Sequence, residues 1–138
     1  MRNPKWTRDE LILALDLYFK IDASYIDSKN KDVIELSKIL NNLPIHKKES
    51  KDDVFRNPTG VSMKLRNFQS IDPRYRSGLP NGARLDKVIW DEFENDRKRL
   101  QGIAKNIKDA VKYLNTIDEN DTKNLDDSDD FPEGKVLY

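Results

Sequence analysis

Apolar residues along this chain fall into helical stripes separated by charged or turn-forming segments, and no stretch keeps the two-residue alternation of a strand. In "WTRDELILALDLYFK" (residues 6–20), Leu11, Ala14, Leu15 and Tyr18 share one stripe. Ile12 and Phe19 widen it, so most of this helix is expected to be buried. Thr7 is a good N-cap and Glu10, three residues later, completes a capping box, with Trp6 just before the cap in position to pack back as a staple. A polar connection, "IDASYIDSKN", leads to a second helix over Lys31–Asn42. There Val33, Leu36, Leu40 and Leu43 define one face, Ile34 and Ile39 flank it, and Pro44 ends the helix.

After a charged loop, "IHKKESKDDVF", a third helix is expected in "FRNPTGVSMKLRNFQSIDP" (residues 55–73). Asn57 is its N-cap, Pro58 suits the first helical position, and Asp72-Pro73 closes it because a residue before proline avoids the helical region. The turn-rich "RYRSGLPNGARLD" follows. The last helix is expected to run from Leu85 to Leu114, with Phe93, Leu100, Ile107 and Leu114 recurring every seven residues and Ile89, Ile103 and Ala110 four before or three after them. Asp96 is its one polar interruption and Gly102 a weak point of about 1 kcal/mol relative to alanine. The pattern predicts a long helix packed across the shorter ones; a homodimer seam along 85–114 is the alternative. The fold class is therefore all-α: about four helices, with a helix-turn-helix-like core, a long C-terminal helix and an acidic, disordered linker.

Charge changes this picture. Of 25 basic and 25 acidic residues, two and eight respectively fall in residues 117–138, so residues 1–116 hold 23 and 17, a net of +6. The formal net charge of zero thus conceals a basic domain (1–116) and an acidic segment (117–138), and the distribution sets the partners. No apolar run approaches the roughly 20 residues of a membrane span, and "MRNPKWTRDE" has no apolar core of a signal peptide. Without cysteine there is no disulfide framework, and a reducing cytoplasm is the default compartment.

The same composition limits the chemistry. The one histidine, His46, stands in a charged loop, whereas an HNH-type metal site needs several histidines around one cation. There is no cysteine nucleophile, no serine elbow and no phosphate-cradling glycine loop, and "DENDTKNLDDSDD" lacks the glycine and final glutamate of an EF-hand. No catalysis, metal or cofactor is expected of this chain.

Binding is a different matter. With Val61, Leu65 and Phe68 inward, Ser62, Arg66 and Gln69 line the other face of the third helix, and Lys64 and Asn67 its flanks. Arginine suits guanine, asparagine and glutamine suit adenine, and lysine and serine suit phosphate. Arg56, Arg74, Arg76 and Arg84 extend the positive surface, and Thr59 lies in the first turn, where free N–H groups and the helix dipole favour a phosphate. The candidate DNA-binding set is thus Arg56, Thr59, Ser62, Lys64, Arg66, Asn67, Gln69, Arg74, Arg76 and Arg84. Met63, off the apolar stripe, is read as surface cover. The bland alternative is a solvated amphipathic helix.

"WTRDELILALDLYFK", "FRNPTGVSMKLRNFQSIDP", "GLPNGARLDKVIWDEF" and "FPEGKVLY" together resemble the N-terminal region of McrA-like HNH restriction endonucleases, over Trp6 to Tyr138. "VSMKLRNFQSIDP" is the most specific part of the likeness. The resemblance implies a DNA-recognition module of a phage-defence enzyme, with "PEGK" opening the connection to a C-terminal HNH nuclease domain that this chain lacks. It also implies duplex DNA as partner, including DNA with modified bases such as 5-methylcytosine. The helix order matches a helix-turn-helix, with a longer connection between residues 44 and 56 than the usual turn. A protein-interaction or dimerisation module and a stand-alone helix-turn-helix regulator are the competing readings.

Overall fold

The first three helices begin where a short polar side chain takes up free N–H groups of the first turn. In a computed structural model that describes residues 3–46, 51–75 and 83–120 (backbone only at 115 and 117–120), the helices are α1 (Arg8–Lys20), α2 (Lys31–Asn42), α3 (Pro58–Ile71), α4 (Arg84–Phe93) and α5 (Arg97–Asn120). Thr7 and Glu10 form the capping box of α1, Asn30 caps α2 and Asn57 caps α3, with Pro58 in its first turn. A 3₁₀ turn, Ala23–Tyr25, joins α1 to α2, and a second, Pro73–Tyr75, follows α3. No strand occurs among the described residues.

Helix α1 is the hub. It packs on α5, α3, α4 and α2, and Leu11, Ile12, Leu13, Ala14 and Leu15 in succession are buried, as expected for a helix surrounded on most sides. Helix α3 packs on α1, α2 and α4 through Val61, Leu65 and Phe68. Tyr18, Phe19 and Trp90 close one end of the core as an aromatic cluster with centroids 5.3–5.9 Å apart. On the surface, Glu92 accepts from both Arg8 and Arg99, linking α4 to α1 and α5.

The structure corrects one expected element. The single helix from Leu85 to Leu114 is two, broken at residues 94–96, where the Asp96 carbonyl accepts the Leu100 N–H and α5 starts afresh. Asn95 and Asp96 favour that break because their side chains compete with helical backbone bonding. Most of the seven-residue seam packs internally: Ile89, Phe93, Leu100, Ile107 and Ala110 are buried within this chain, and Ile103 and Leu114 are half-buried. Helices α2 and α3 lie against each other and against α1 in helix-turn-helix order, but residues 43–57 separate them in place of a short turn. The backbone of α5 stays helical to Asn120, past the expected domain boundary at 116; residues 121–138, most of the expected linker, lie outside the described residues.

Two substitutions test this packing by chemical denaturation. Leu65→Ala, at a position with no exposed surface, should cost about 2–5 kcal/mol; a loss under about 1 kcal/mol would mean that α3 is rotated relative to this description. A Cβ at Gly102 meets nothing within 4 Å, so Gly102→Ala should stabilise the domain by about 1 kcal/mol.

Candidate nucleic-acid interface

The ten candidate residues separate into three groups. Two are inside. Arg56 is 6% exposed, and its Nε and Nη2 donate to Glu10 Oε2 and Oε1 at 2.7 and 3.2 Å, with a further bond from Nη2 to the Pro4 carbonyl at 2.8 Å. Its guanidinium lies between the rings of Trp6 and Phe55, 4.7 and 4.3 Å from their centroids. The backbone of Arg56 is left-handed (φ 46°), a conformation costing of order 1–3 kcal/mol that surrounding contacts have to hold. Ser37 Oγ donates to its carbonyl at 2.7 Å and so fixes it to α2. Lys64 is 8% exposed, and its Nζ donates to both oxygens of Asp86 at 3.1 Å. Asp86 in turn accepts from the Ala83 N–H at the start of α4. Both cations, expected on the DNA face, are therefore structural: Arg56 ties α1 to the segment before α3, and Lys64 ties α3 to α4.

A second group faces solvent. Thr59, Met63 and Arg66 are exposed and Ser62, Asn67 and Gln69 half-buried, making one polar side of α3 opposite Val61, Leu65 and Phe68. Met63, 63% exposed, sits there as a cover residue. Arg66 is anchored as well as exposed: Nη2 donates to the Ile26 carbonyl at 2.8 Å and Nη1 to Gln69 Oε1 at 3.0 Å. Ser62 Oγ donates back to the Thr59 carbonyl at 2.8 Å, while the Asn67 side-chain amide has no partner among the described residues.

The third group lies at the rim. Arg84 opens α4, exposed and without an ionic partner among the described residues, and the Lys64–Asp86 pair brings that first turn against α3. Arg74 lies in the 3₁₀ turn after α3, with its guanidinium on Asp72 and 5.3 Å from the Tyr75 ring centroid. Arg76 lies outside the described residues.

Periodicity missed the acidic partners: Glu10 and Asp72 read first as helix-end residues, and Asp86 carried no signal of its own. Burial alone would push the Glu10 carboxyl up, but hydrogen bonds from Arg56, Thr7 and His46 outweigh it and hold Glu10 below the ordinary 4.5. Asp72, also buried, is held below 3.8 against desolvation by bonds from Arg74 and Tyr18. His46 Nε2 lies 2.9 Å from Glu10 Oε1, so the one histidine is committed to this buried cluster. Among the described residues no group of three or more metal-ligating side chains occurs, and no helix is long and apolar enough to cross a membrane. Comparison with family models, curated proteins and solved structures gives no match.

Carboxylates whose folded pKa lies below the unfolded value add stability that is complete above the unfolded pKa and vanishes as pH falls through the folded one. The domain should therefore hold its melting temperature down to about pH 4.5, the ordinary value of Glu10, and lose it progressively below. Glu10→Gln, which leaves Arg56 buried without a counter-charge, should cost about 3–5 kcal/mol at pH 7 and flatten that acid limb. An unchanged acid limb in the variant would show that other groups govern it.

Proposed function

We propose that this domain binds duplex DNA in the cytoplasm through the solvent side of α3. In this reading Thr59, Ser62, Arg66, Asn67 and Gln69 face the DNA, with Arg74 and Arg84 on flanking phosphates. The domain would serve as the specificity part of an HNH-type restriction endonuclease and bind DNA rather than cut it. The observation that carries the reading is the asymmetry of α3. One side is fully buried, two of its nearby cations are locked in ion pairs, and the remaining long hydrogen-bonding side chains project from a rigid helix. A helix held this firmly can present side chains to base edges in a fixed register, which direct readout requires.

Two further points support it. Residues 1–116 carry the net +6 derived above from 25 basic and 25 acidic residues, as a phosphate-binding surface needs. The resemblance of "VSMKLRNFQSIDP" to McrA-like proteins lies on this helix. Modified bases as part of the target rest on that resemblance alone.

Fluorescence-anisotropy titrations across a salt series, on unmodified, cytosine-methylated and adenine-methylated duplexes, test the proposal. Asn67→Ala should lose about 1–3 kcal/mol and relax preference at one position if Asn67 reads a base. Arg84→Ala should weaken binding evenly across sequences and make the salt slope shallower by about one. No binding to any duplex at low salt would end the DNA reading. Parent-like affinity for Arg66→Ala, Asn67→Ala and Arg84→Ala, each shown to be folded, would move the interface elsewhere.

A further inference from the structure

Arg74 is an exposed cation held by a buried carboxylate, as Lys20 is by Asp16, but Arg74 alone of the two is a guanidinium gripped along one edge. Asp72 is 2% exposed and sits where α3 ends, its N–H donating to the Phe68 and Gln69 carbonyls at 3.0 and 3.2 Å. Its Oδ2 accepts from Arg74 Nη2 at 2.8 Å and from Arg74 Nε at 3.1 Å, and its Oδ1 accepts from the Arg74 backbone N–H at 3.0 Å. From the other side Tyr18 Oη, on α1, donates to the same Oδ2 at 2.8 Å. Tyr18 is itself wedged among Phe19, Phe68 and Trp90. The carboxylate is thus held by two bonds besides those to the guanidinium, one on each oxygen, and its backbone by two more. The guanidinium remains exposed (side chain 64%).

A guanidinium has five N–H donors in a planar fork. Asp72 occupies the Nε–Nη2 edge, and the Nη1–Nη2 end has no hydrogen-bond partner among the described residues, a pair of parallel donors spaced for two oxygens of one phosphate. We propose that Asp72 and Tyr18 are positioning residues that hold Arg74 as a preformed phosphate clamp at the C-terminal end of α3. The clamp rests on the DNA reading given above and deepens it, by naming a rim cation whose geometry is set by a buried carboxylate before the nucleic acid arrives. Hydrogen bonds from Arg74 and Tyr18 outweigh burial to keep Asp72 ionised at neutral pH, so the buttress persists under binding conditions.

The proposal makes a prediction opposite in sign to simple electrostatics. Asp72 carries a negative charge beside the phosphate site, so neutralising it should strengthen DNA binding if charge alone mattered. If positioning matters more, Asp72→Asn should weaken binding, because Arg74 then loses its side-chain freedom only on contact with DNA. Tyr18→Phe removes no formal charge at neutral pH and should weaken it in the same direction.

The experiment combines NMR of the Arg74 Nε–H in the free protein with anisotropy titrations on duplex DNA at fixed salt. It uses the parent chain, Asp72→Asn, Tyr18→Phe, Arg74→Ala and the two double variants with Arg74→Ala, all checked for a cooperative melt. In the parent the Nε–H signal should be resolved and protected from exchange, and in Asp72→Asn and Tyr18→Phe it should be averaged with solvent. Each single variant should lose affinity about two- to tenfold, the ratio corresponding to ordering one long side chain, and neither should add a loss once Arg74 is alanine. Tyr18→Phe carries the test if Asp72→Asn, which also alters the end of α3, fails to fold. Equal or tighter binding by the folded positioning variants, or losses that persist in the Arg74→Ala background, would overturn the clamp while leaving the DNA reading intact. A sequence-dependent loss in Arg74→Ala would overturn the phosphate assignment in favour of a base edge. A parent chain that binds no duplex at low salt would remove the DNA reading and with it the ligand of the clamp.

Discussion

A carboxylate with no exposed surface stands in the first turn of α1, and an ion of that size in a medium of low dielectric constant is tolerated only with a fully bonded partner. Glu10 has Arg56 on both oxygens, Thr7 on one and the His46 ring beside it. Because Arg56 comes from just before α3, this requirement draws the chain between α2 and α3 back over the start of α1. The left-handed turn at Arg56 follows from it: the side chain is held by Glu10 while the carbonyl is held by Ser37. Asn57, the next residue, then caps α3 through the Gly60 N–H. The origin of α3 is thus fixed by an electrostatic necessity of α1. Trp6 extends the arrangement, with the Arg56 guanidinium over its ring and Lys64 Nζ 5.4 Å from the ring centroid, so the charges that fix α3 to α1 and to α4 meet at one indole. No buried side-chain nitrogen or oxygen among the described residues lacks a partner, which is the condition under which buried charge specifies one arrangement instead of destabilising it.

This division of labour among cations gives α3 its character. Arg56 and Lys64 hold the helix from beneath. Arg66 does both tasks, gripping the carbonyl at the end of the first 3₁₀ turn while remaining exposed. Arg74 and Arg84 stand at either rim. A positive stretch of sequence is therefore not a uniformly positive surface. The solvent side of α3 is made of a few projecting groups on a helix held from beneath, which under the proposed DNA reading suits base readout better than non-specific attraction.

Much of the fold was legible because capping and periodicity are local. The Thr7–Glu10 box, Asn57 with Pro58, and the stop at Asp72-Pro73 gave the bounds of α1 and α3, and Lys31–Asn42 followed from its apolar face. The break between α4 and α5 was hidden because Phe93 and Leu100 keep their seven-residue phase across it, both facing the same core. The polar Asp96 was its local mark. At the candidate site, spacing separated buried from exposed apolar residues correctly but could not sort the charged ones. The burial of Lys64 depends on Asp86, on another helix, and that of Arg56 on Glu10, on a third. Such pairings are tertiary, and a helical wheel places Lys64 on a flank where either fate is open.

The most direct measurement is amide and side-chain NMR mapping of the domain titrated with a duplex at low and moderate salt. The account predicts shifts concentrated at Thr59, Ser62, Arg66, Asn67 and Gln69, with Arg74 and Arg84 at the rim, while the side chains of Arg56 and Lys64 stay unperturbed. Shifts clustered instead on the outer side of α5, at Lys98, Lys105 and Lys112, with α3 unchanged, would contradict it.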